Sequence, residues 1–241
     1  MPSFQFGSKT IHYEITRSDR RKTVSISVNQ HGVEVIAPSH AEEQAIQQLL
    51  HRKGVWIRTQ LLHFEEMQHH SLQRKFVSGE KLPYLGRQYR LKVEKTTDIQ
   101  EPKLSFYHGQ FRVQLPHDIC EYQHRDVIMP VYIDWVKHRG CVFAKDRINR
   151  FTIKFSHQPK EIVIKDQDQR WGSCTPVGNI LLNWRIFLAP ASIVDYVLVH
   201  ELVHLQHMNH SKDYWDTVRM LLSDYEEKKE WLRLYGNTLY I

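Results

Sequence analysis

Two histidines and a glutamate, His200-Glu201-Leu202-Val203-His204, stand in a stretch that is otherwise apolar from Tyr196 to Leu205. Burying three such groups without partners costs several kcal/mol, so a fold that takes this segment into its core has to gather partners around them. Ser192 as cap, with Asp195 at the third position behind it, predicts a helix through the segment. On that helix the histidines lie one turn above each other on one face. Both imidazoles can then reach one Zn²⁺ at roughly 2.0–2.1 Å, with Glu201 projecting from the same turn. A cation so held lowers the pKa of its water to around 7, and a neighbouring carboxylate takes the proton as that water attacks a carbonyl.

A third ligand is needed, and His207 and His210 follow. Were the helix to continue, His207 would share the face of His200 but lie about 10.5 Å along the axis, too far to bind the same ion. The chain therefore has to leave the helix and fold back. Asn209, which tolerates the left-handed conformation, sits where such a turn would deliver His210, and Ser211 can cap a further helix through Lys212-Asp213-Tyr214-Trp215. His210 is the expected third ligand and His207 a helix-end residue near the site.

Around this motif the pattern is α+β. Val24, Ile26 and Val28 alternate before Asn29-Gln30-His31-Gly32, then Val33 and Val35, which reads as a hairpin. Ser39-His40-Ala41-Glu42 has capping-box spacing. Ile46, Leu49, Leu50, Ile57, Leu61 and Phe64 then mark one long amphipathic helix to about residue 68, with Gly54 as its weak point at about 1 kcal/mol relative to alanine. Strand signals return at 84–86, 89–93, 104–107 and 111–115, and a helical pattern follows Pro116. A strand at 162–164, a second strand over 178–187 and three helices complete the chain, the last opened by a capping box at Ser223-Asp224-Tyr225-Glu226 and ended by Gly236. No repeat of a fixed period is visible. We expect a β-rich N-terminal region, 1–120, containing the helix at about 40–68, and a catalytic region, 121–241.

With 41% apolar and 25% charged residues in 241, the composition is that of an ordinary globular protein and excludes collagen-like and low-complexity chains. No apolar run approaches the roughly 18 residues of a membrane span, and the N-terminus carries no signal-peptide pattern. Three widely spaced cysteines, Cys120, Cys141 and Cys174, argue against a disulfide framework. A cytoplasmic location without membrane contact is expected. The net charge of +6 favours phosphate contact only diffusely: Arg17, Arg20, Arg21 and Lys22 form the one dense basic cluster, interrupted by Asp19.

Arg170-Trp171-Gly172-Ser173-Cys174, Gly178-Asn179-Ile180, Leu182-Asn183-Trp184-Arg185, Leu188-Ala189-Pro190, Asp195-Tyr196-Val197, the HExxH and Met208-Asn209-His210-Ser211 with Trp215 together resemble the YgjP-like family of zinc metallopeptidases, distantly similar to SprT-like proteases. Ser78-Gly79-Glu80 and Tyr84-Leu85-Gly86 match its N-terminal part. The resemblance implies a zincin-like core with the HExxH helix packed on a small sheet. It also implies Zn²⁺ on His200, His204 and His210, and Glu201 as general base.

Spacing alone gives Arg170–Cys174 no chemistry. Read functionally, Arg170 binds a carboxylate or phosphate, Trp171 stacks, and the strand from Asn179 to Trp184 pairs with an extended peptide beside the metal; Ser173, Asn183 and Arg185 complete the candidate substrate-binding set. Read structurally, Gly172-Ser173 is a turn, Trp171 a core residue and Cys174 a small buried group. A zinc-dependent peptidase acting on peptide or protein substrates is the leading function. A nucleoside-triphosphate pyrophosphatase is the alternative, since a metal site with a carboxylate base also attacks phosphorus, although no phosphate loop supports it. A zinc-bearing module that binds DNA or RNA is the third reading, and three histidines, which leave a coordination position open, favour an enzyme over it. The sequence leaves the oligomeric state open.

Overall fold

The structure is a computed structural model that describes residues 2–19, 21–29, 32–71, 74–167 and 170–241. The expected turn residues Gln30 and His31, and the side chain of Phe64, lie outside the described set. The described residues form three small mixed sheets and six α-helices, and the chain divides into two compact units, one up to residue 72 and one over 73–240. The division falls well before the expected 120/121 boundary. The reason is packing: the sheet over residues 81–116 buries its aromatic face on the helix that follows it and so belongs with the C-terminal elements.

In the first unit the strands β1 (Ser3–Phe6), β2 (Lys9–Arg17), β3 (Ser25–Asn29) and β4 (Gly32–Ala37) form one sheet in the order β1-β2-β4-β3. The expected hairpin is β3–β4, in register from Ser25 opposite Ile36 to Asn29 opposite Gly32. β4 runs parallel to β2. Alternation turns Ile11, Tyr13, Val33 and Val35 to one side, where Ile46, Leu50 and Ile57 complete a core. The single long helix expected here is two, α1 (Glu43–Arg52) and α2 (Gly54–Ser71), interrupted at Lys53. The expected capping box is also absent, because the first helix begins one turn later, with Glu42 at its N-cap and no side-chain cap. Gly54 is fixed by packing, since a Cβ there would lie 2.2 Å from the Phe6 ring.

The second unit opens with β5 (Lys81–Tyr84), β6 (Arg87–Thr96), β7 (Lys103–Tyr107) and β8 (Gln110–Pro116), in the order β5-β6-β8-β7. This is the wiring of the first sheet again: an antiparallel pair, a parallel step to the fourth strand, and the third strand on the outside. Corresponding strands begin at 3 and 81, 9 and 87, 25 and 103, and 32 and 110, a constant offset of 78 residues. The burial pattern shares the offset, with Tyr13 and Leu91, Val33 and Phe111, Val35 and Val113, and Ala37 and Leu115 all in the core. The chain therefore contains a repeat that the sequence does not display.

The helix α3 (His124–Thr152) carries a buried stripe at every fourth residue, including Ile128, Tyr132, Val136 and Ala144. Trp135 on this helix meets Phe106 and Phe111 at ring-centroid distances of 5.3 and 4.8 Å. The third sheet follows, formed by β9 (Glu161–Lys165), β10 (Gly172–Cys174) and β11 (Asn179–Asn183) in the order β10-β11-β9. The strand expected over 178–187 ends at Asn183, where the side chain accepts the Arg185 N–H and starts a 3₁₀ turn, Trp184–Leu188. α4 (Ala191–Val203) starts one residue before the expected cap. Pro190 is its N-cap and Ser192 lies inside its first turn, while Asp195 reaches Arg147 on α3 across 3.2 Å. α4 is apolar all round and buried, with Ile193, Val194, Leu198, Val199 and Leu202 in the core. Its entry is fixed by the β5–β6 turn: the Leu85 and Gly86 N–H groups donate to Phe187 and Leu188 carbonyls at 2.8 and 3.2 Å. Gly86 has φ of 75°, and a Cβ there would lie 2.8 Å from Pro190 Cα.

α5 (Lys212–Leu221) and α6 (Tyr225–Tyr235) complete the unit. The box expected at Ser223 does not form; Asp224 is the N-cap without a side-chain bond, its carboxylate pairing with Lys228. α6 ends at Gly236, its C-cap, as expected, and the chain continues in a 3₁₀ turn to Leu239. No helix among the described residues is long and apolar enough to cross a membrane.

Candidate metal centre

His200 and Glu201 lie in the last turn of α4, and His204 is its C-cap residue. Past it the chain turns tightly, Leu205, Gln206 and His207 donating back to Leu202, Val203 and Val203 carbonyls at 3.0 Å each. Asn209 does not take the left-handed conformation expected of it; these bonds, made before it, reverse the chain. Ser211 caps α5 as expected, accepting the Tyr214 N–H at 3.4 Å. The reversal brings His210 against the helix: ligand nitrogens of His200, His204 and His210 all lie within 4.8 Å of one another.

Several contacts set the rings. His204 Nδ1 is 2.9 Å from the His207 carbonyl, which makes Nδ1 the donor and leaves Nε2 with its lone pair directed away. Trp215 stacks on His210 at a centroid distance of 5.7 Å and 29°, backed by Tyr225 at 5.3 Å and 19°, and Lys229 Nζ lies 4.6 Å from the Trp215 centroid. The Tyr214 hydroxyl donates to the His200 carbonyl at 2.9 Å, tying α5 to the last turn of α4. His207 is not a member of the cluster; its ring meets the Thr217 hydroxyl at 3.3 Å.

The donor set fits a cation. His200 Nε2 and His210 Nε2 stand 3.2 Å apart. Two nitrogens bound tetrahedrally to one zinc at roughly 2.0–2.1 Å are separated by about 3.3 Å. Burial, with the neighbouring His204 and His210 adding to it, pushes His200 down to about 3, so its ring is neutral, as a ligand's has to be. His200 Nδ1 is buried with no hydrogen-bond partner among the described residues.

Glu201 is 5% exposed and lies against Gly172 on β10. Desolvation pushes its carboxyl up to about 8, opposed by the Arg170 guanidinium and by the Cys174 backbone N–H that it accepts. β10 is an edge strand, whereas β11 is hydrogen-bonded on both sides. The strand from Asn179 to Asn183 therefore has no free edge for a peptide, and the expectation that it pairs with substrate is corrected: the free edge belongs to Gly172–Cys174. Asn183 N–H donates to the Trp171 carbonyl and Thr175 N–H to the Asn179 carbonyl, so in an antiparallel pair Gly172 and Cys174 turn their polar groups outward. Gly172 has no room for a side chain: a Cβ would lie 2.8 Å from both Cγ and Oε1 of Glu201. For Gly172→Ala we predict an intact fold and full metal stoichiometry, because the glutamate end can swing aside. We also predict a turnover lowered by about 100-fold, the cost of roughly 1 Å of misplacement. Unchanged turnover would show that Glu201 needs no fixed position.

Of the other candidate residues, Arg170 and Trp171 line a cavity of about 260 Å³ with Gly172, Tyr196, Val197, His200, Glu201 and Leu232. Ser173 lies on β10 opposite Leu181. Asn183 and Arg185 are engaged elsewhere. The Asn183 side chain accepts from Arg185 N–H and donates to the Arg170 carbonyl at 3.2 Å, holding the approach to β10. Arg185 pairs with Asp166 and lies over the rings of Trp184 and Tyr240 at 4.7 and 4.9 Å. Cys174 is half-buried, and desolvation with the Glu201 charge pushes its thiol up, the reverse of what a nucleophile needs. Trp171 also meets Tyr240 at 5.9 Å and contacts the Gly236 turn. That bracing from the last residues leaves no local sequence signal.

Three histidines that could together hold a metal ion, with a carboxylate beside them, are the donor set of a candidate hydrolytic metal centre. The family comparison gives the class, a metallopeptidase-type hydrolase. Residues 22–235 match the family model described as YgjP-like, metallopeptidase domain, and the chain belongs to the YgjP-like family. Among solved structures it is similar to the crystal structure of the metallopeptidase zymogen abylysin from Pyrococcus abyssi. That similarity is 19% identity over 39% of this chain and 92% of the other, with a TM-score of 0.35. No curated protein matches the chain.

Proposed function

We propose that the protein is a zinc-dependent metallopeptidase in which His200, His204 and His210 hold the metal and Glu201 is the general base. The observation that carries the reading is the convergence of three neutralisable imidazoles at metal-binding separation, with a buried carboxylate one residue away on the same helix turn. Zinc bound there supplies an activated water and a Lewis acid for the scissile carbonyl. The remaining steps belong to the chain. Glu201, steadied by the Cys174 N–H, takes the water's proton at its carboxylate and passes it to the leaving amine. The outward N–H and C=O of Gly172 bind the substrate backbone as an added strand, which places the scissile bond beside Glu201.

Metal removal tests this. Peptide products released from an unfolded protein substrate should vanish after treatment with a zinc chelator and return on adding one equivalent of Zn²⁺. A parallel assay of phosphate and pyrophosphate release from nucleoside triphosphates should stay at the level of the chelated protein. Zinc-dependent release of pyrophosphate without peptide cleavage would replace the peptidase reading with a phosphoanhydride hydrolase.

A further inference from the structure

Resting on the peptidase reading, we infer that Arg170 and the cavity behind it form a carboxylate-selective substrate pocket. The cavity beside Glu201 has apolar walls, Trp171, Tyr196, Val197 and Leu232, and one cationic side chain, Arg170. At about 260 Å³ it falls just under the roughly 300–1,000 Å³ of sites that enclose drug-sized ligands, so it suits one side chain and its end group. Arg170 is exposed and forms no side-chain hydrogen bond or ion pair among the described residues, although its charge acts on Glu201 from across the cavity. Its backbone is pinned, the carbonyl accepting from Asn183 Nδ2. Arg170, its backbone pinned, thus lines the same pocket as the Glu201 carboxylate.

A guanidinium presents a planar fork that matches a carboxylate with two parallel hydrogen bonds. A substrate with an apolar body and a carboxylate end matches the apolar walls and Arg170 together, with the carboxylate held at the Arg170 side away from Glu201. A neutral end leaves Arg170 partly desolvated without a partner, and a cationic end is repelled. The carboxylate has two sources in a peptide, the C-terminus and an aspartate or glutamate side chain. Both place it a few bonds from the scissile amide.

The test is cleavage of a randomised unstructured peptide library by the zinc-loaded full chain, read by mass spectrometry. The library is made with a C-terminal acid or a C-terminal amide, and, in blocked form, with glutamate or glutamine at a single fixed position. The wild type should prefer the acid over the amide, or glutamate over glutamine, by about 10- to 100-fold, the range of a charge-assisted pair. The arm that shows the preference identifies the source. Arg170→Gln should bring that ratio close to one, acting through KM, while Arg170→Lys, which keeps the charge and loses the fork, should recover part of it. Loss of the Arg170 charge beside Glu201 lowers cleavage of both members of a pair alike, so the ratio isolates the anchoring role. Cleavage with no preference in the wild type, or a preference that survives in Arg170→Gln, would overturn the pocket and leave the peptidase intact. No cleavage of any member would overturn the peptidase reading itself.

Discussion

Glu201→Gln should retain one equivalent of zinc and lose peptide hydrolysis by about 10²–10⁴-fold, the range of general acid–base catalysis. The exchange is nearly isosteric, and the amide oxygen still accepts the Cys174 N–H, so the side chain keeps its place at the edge of β10. What disappears is the ability to take a proton. Glu201 is not among the three clustered histidines, which is why metal content and turnover are expected to separate. Metal analysis beside a peptide assay decides the matter, and loss of zinc in this variant would make Glu201 a ligand and not a base.

His210→Ala should weaken zinc binding by about 100-fold or more in competition against a chelating dye. Structural zinc sites of four ligands bind with about 10–16 kcal/mol, roughly 3 kcal/mol for each ligand. His207→Ala should change the affinity by less than about 10-fold. The group of His207 that orients His204 is its carbonyl, which the substitution keeps, and the ring itself only meets Thr217. A larger loss from His207→Ala than from His210→Ala would mean that the reversal after His204 delivers the wrong histidine.

The histidine cluster and the carboxylate beside it were legible because they lie within eleven residues. Helix periodicity sets His200, Glu201 and His204 and a serine cap fixes the start of α5, although the bonds that reverse the chain after His204 were not foreseen. The Ser211 cap is a local contact and forms as expected. The capping boxes at Ser39, Ser192 and Ser223 fail because the flanking chain is held by other partners: the Ser39 and Ala41 carbonyls by Arg17, Pro190 by the hairpin turn at Gly86, Asp195 by Arg147, Asp224 by Lys228. The role of β11 was illegible for a different reason. An apolar run such as Ile180-Leu181-Leu182 reads the same in a central strand as at an edge, and only the partners, β9 and β10, distinguish them. The place of Trp171 depends on Tyr240 and the Gly236 turn, contacts that no pattern window spans. The duplicated sheet escaped notice because what its copies share is the position of burial and not the residue: Tyr13 answers Leu91, and Val33 answers Phe111.

That duplication bears on how the chain avoids misfolding. Two sheets with the same strand order at a constant spacing are built to accept each other's strands, and strand exchange is a characteristic failure of tandem modules. The interiors oppose it. One core is filled at the corresponding positions by Val28, Val33 and Ile57, the other by Phe106, Phe111 and Trp135. β7 or β8 placed in the first sheet would force Phe106 or Phe111 into space filled by Val28 or Val33, and β6 in place of β2 would leave a void where Tyr13 stands, since Leu91 is smaller. Divergence in side-chain volume thus acts as an address, directing each strand to its own sheet while the backbone plan stays the same.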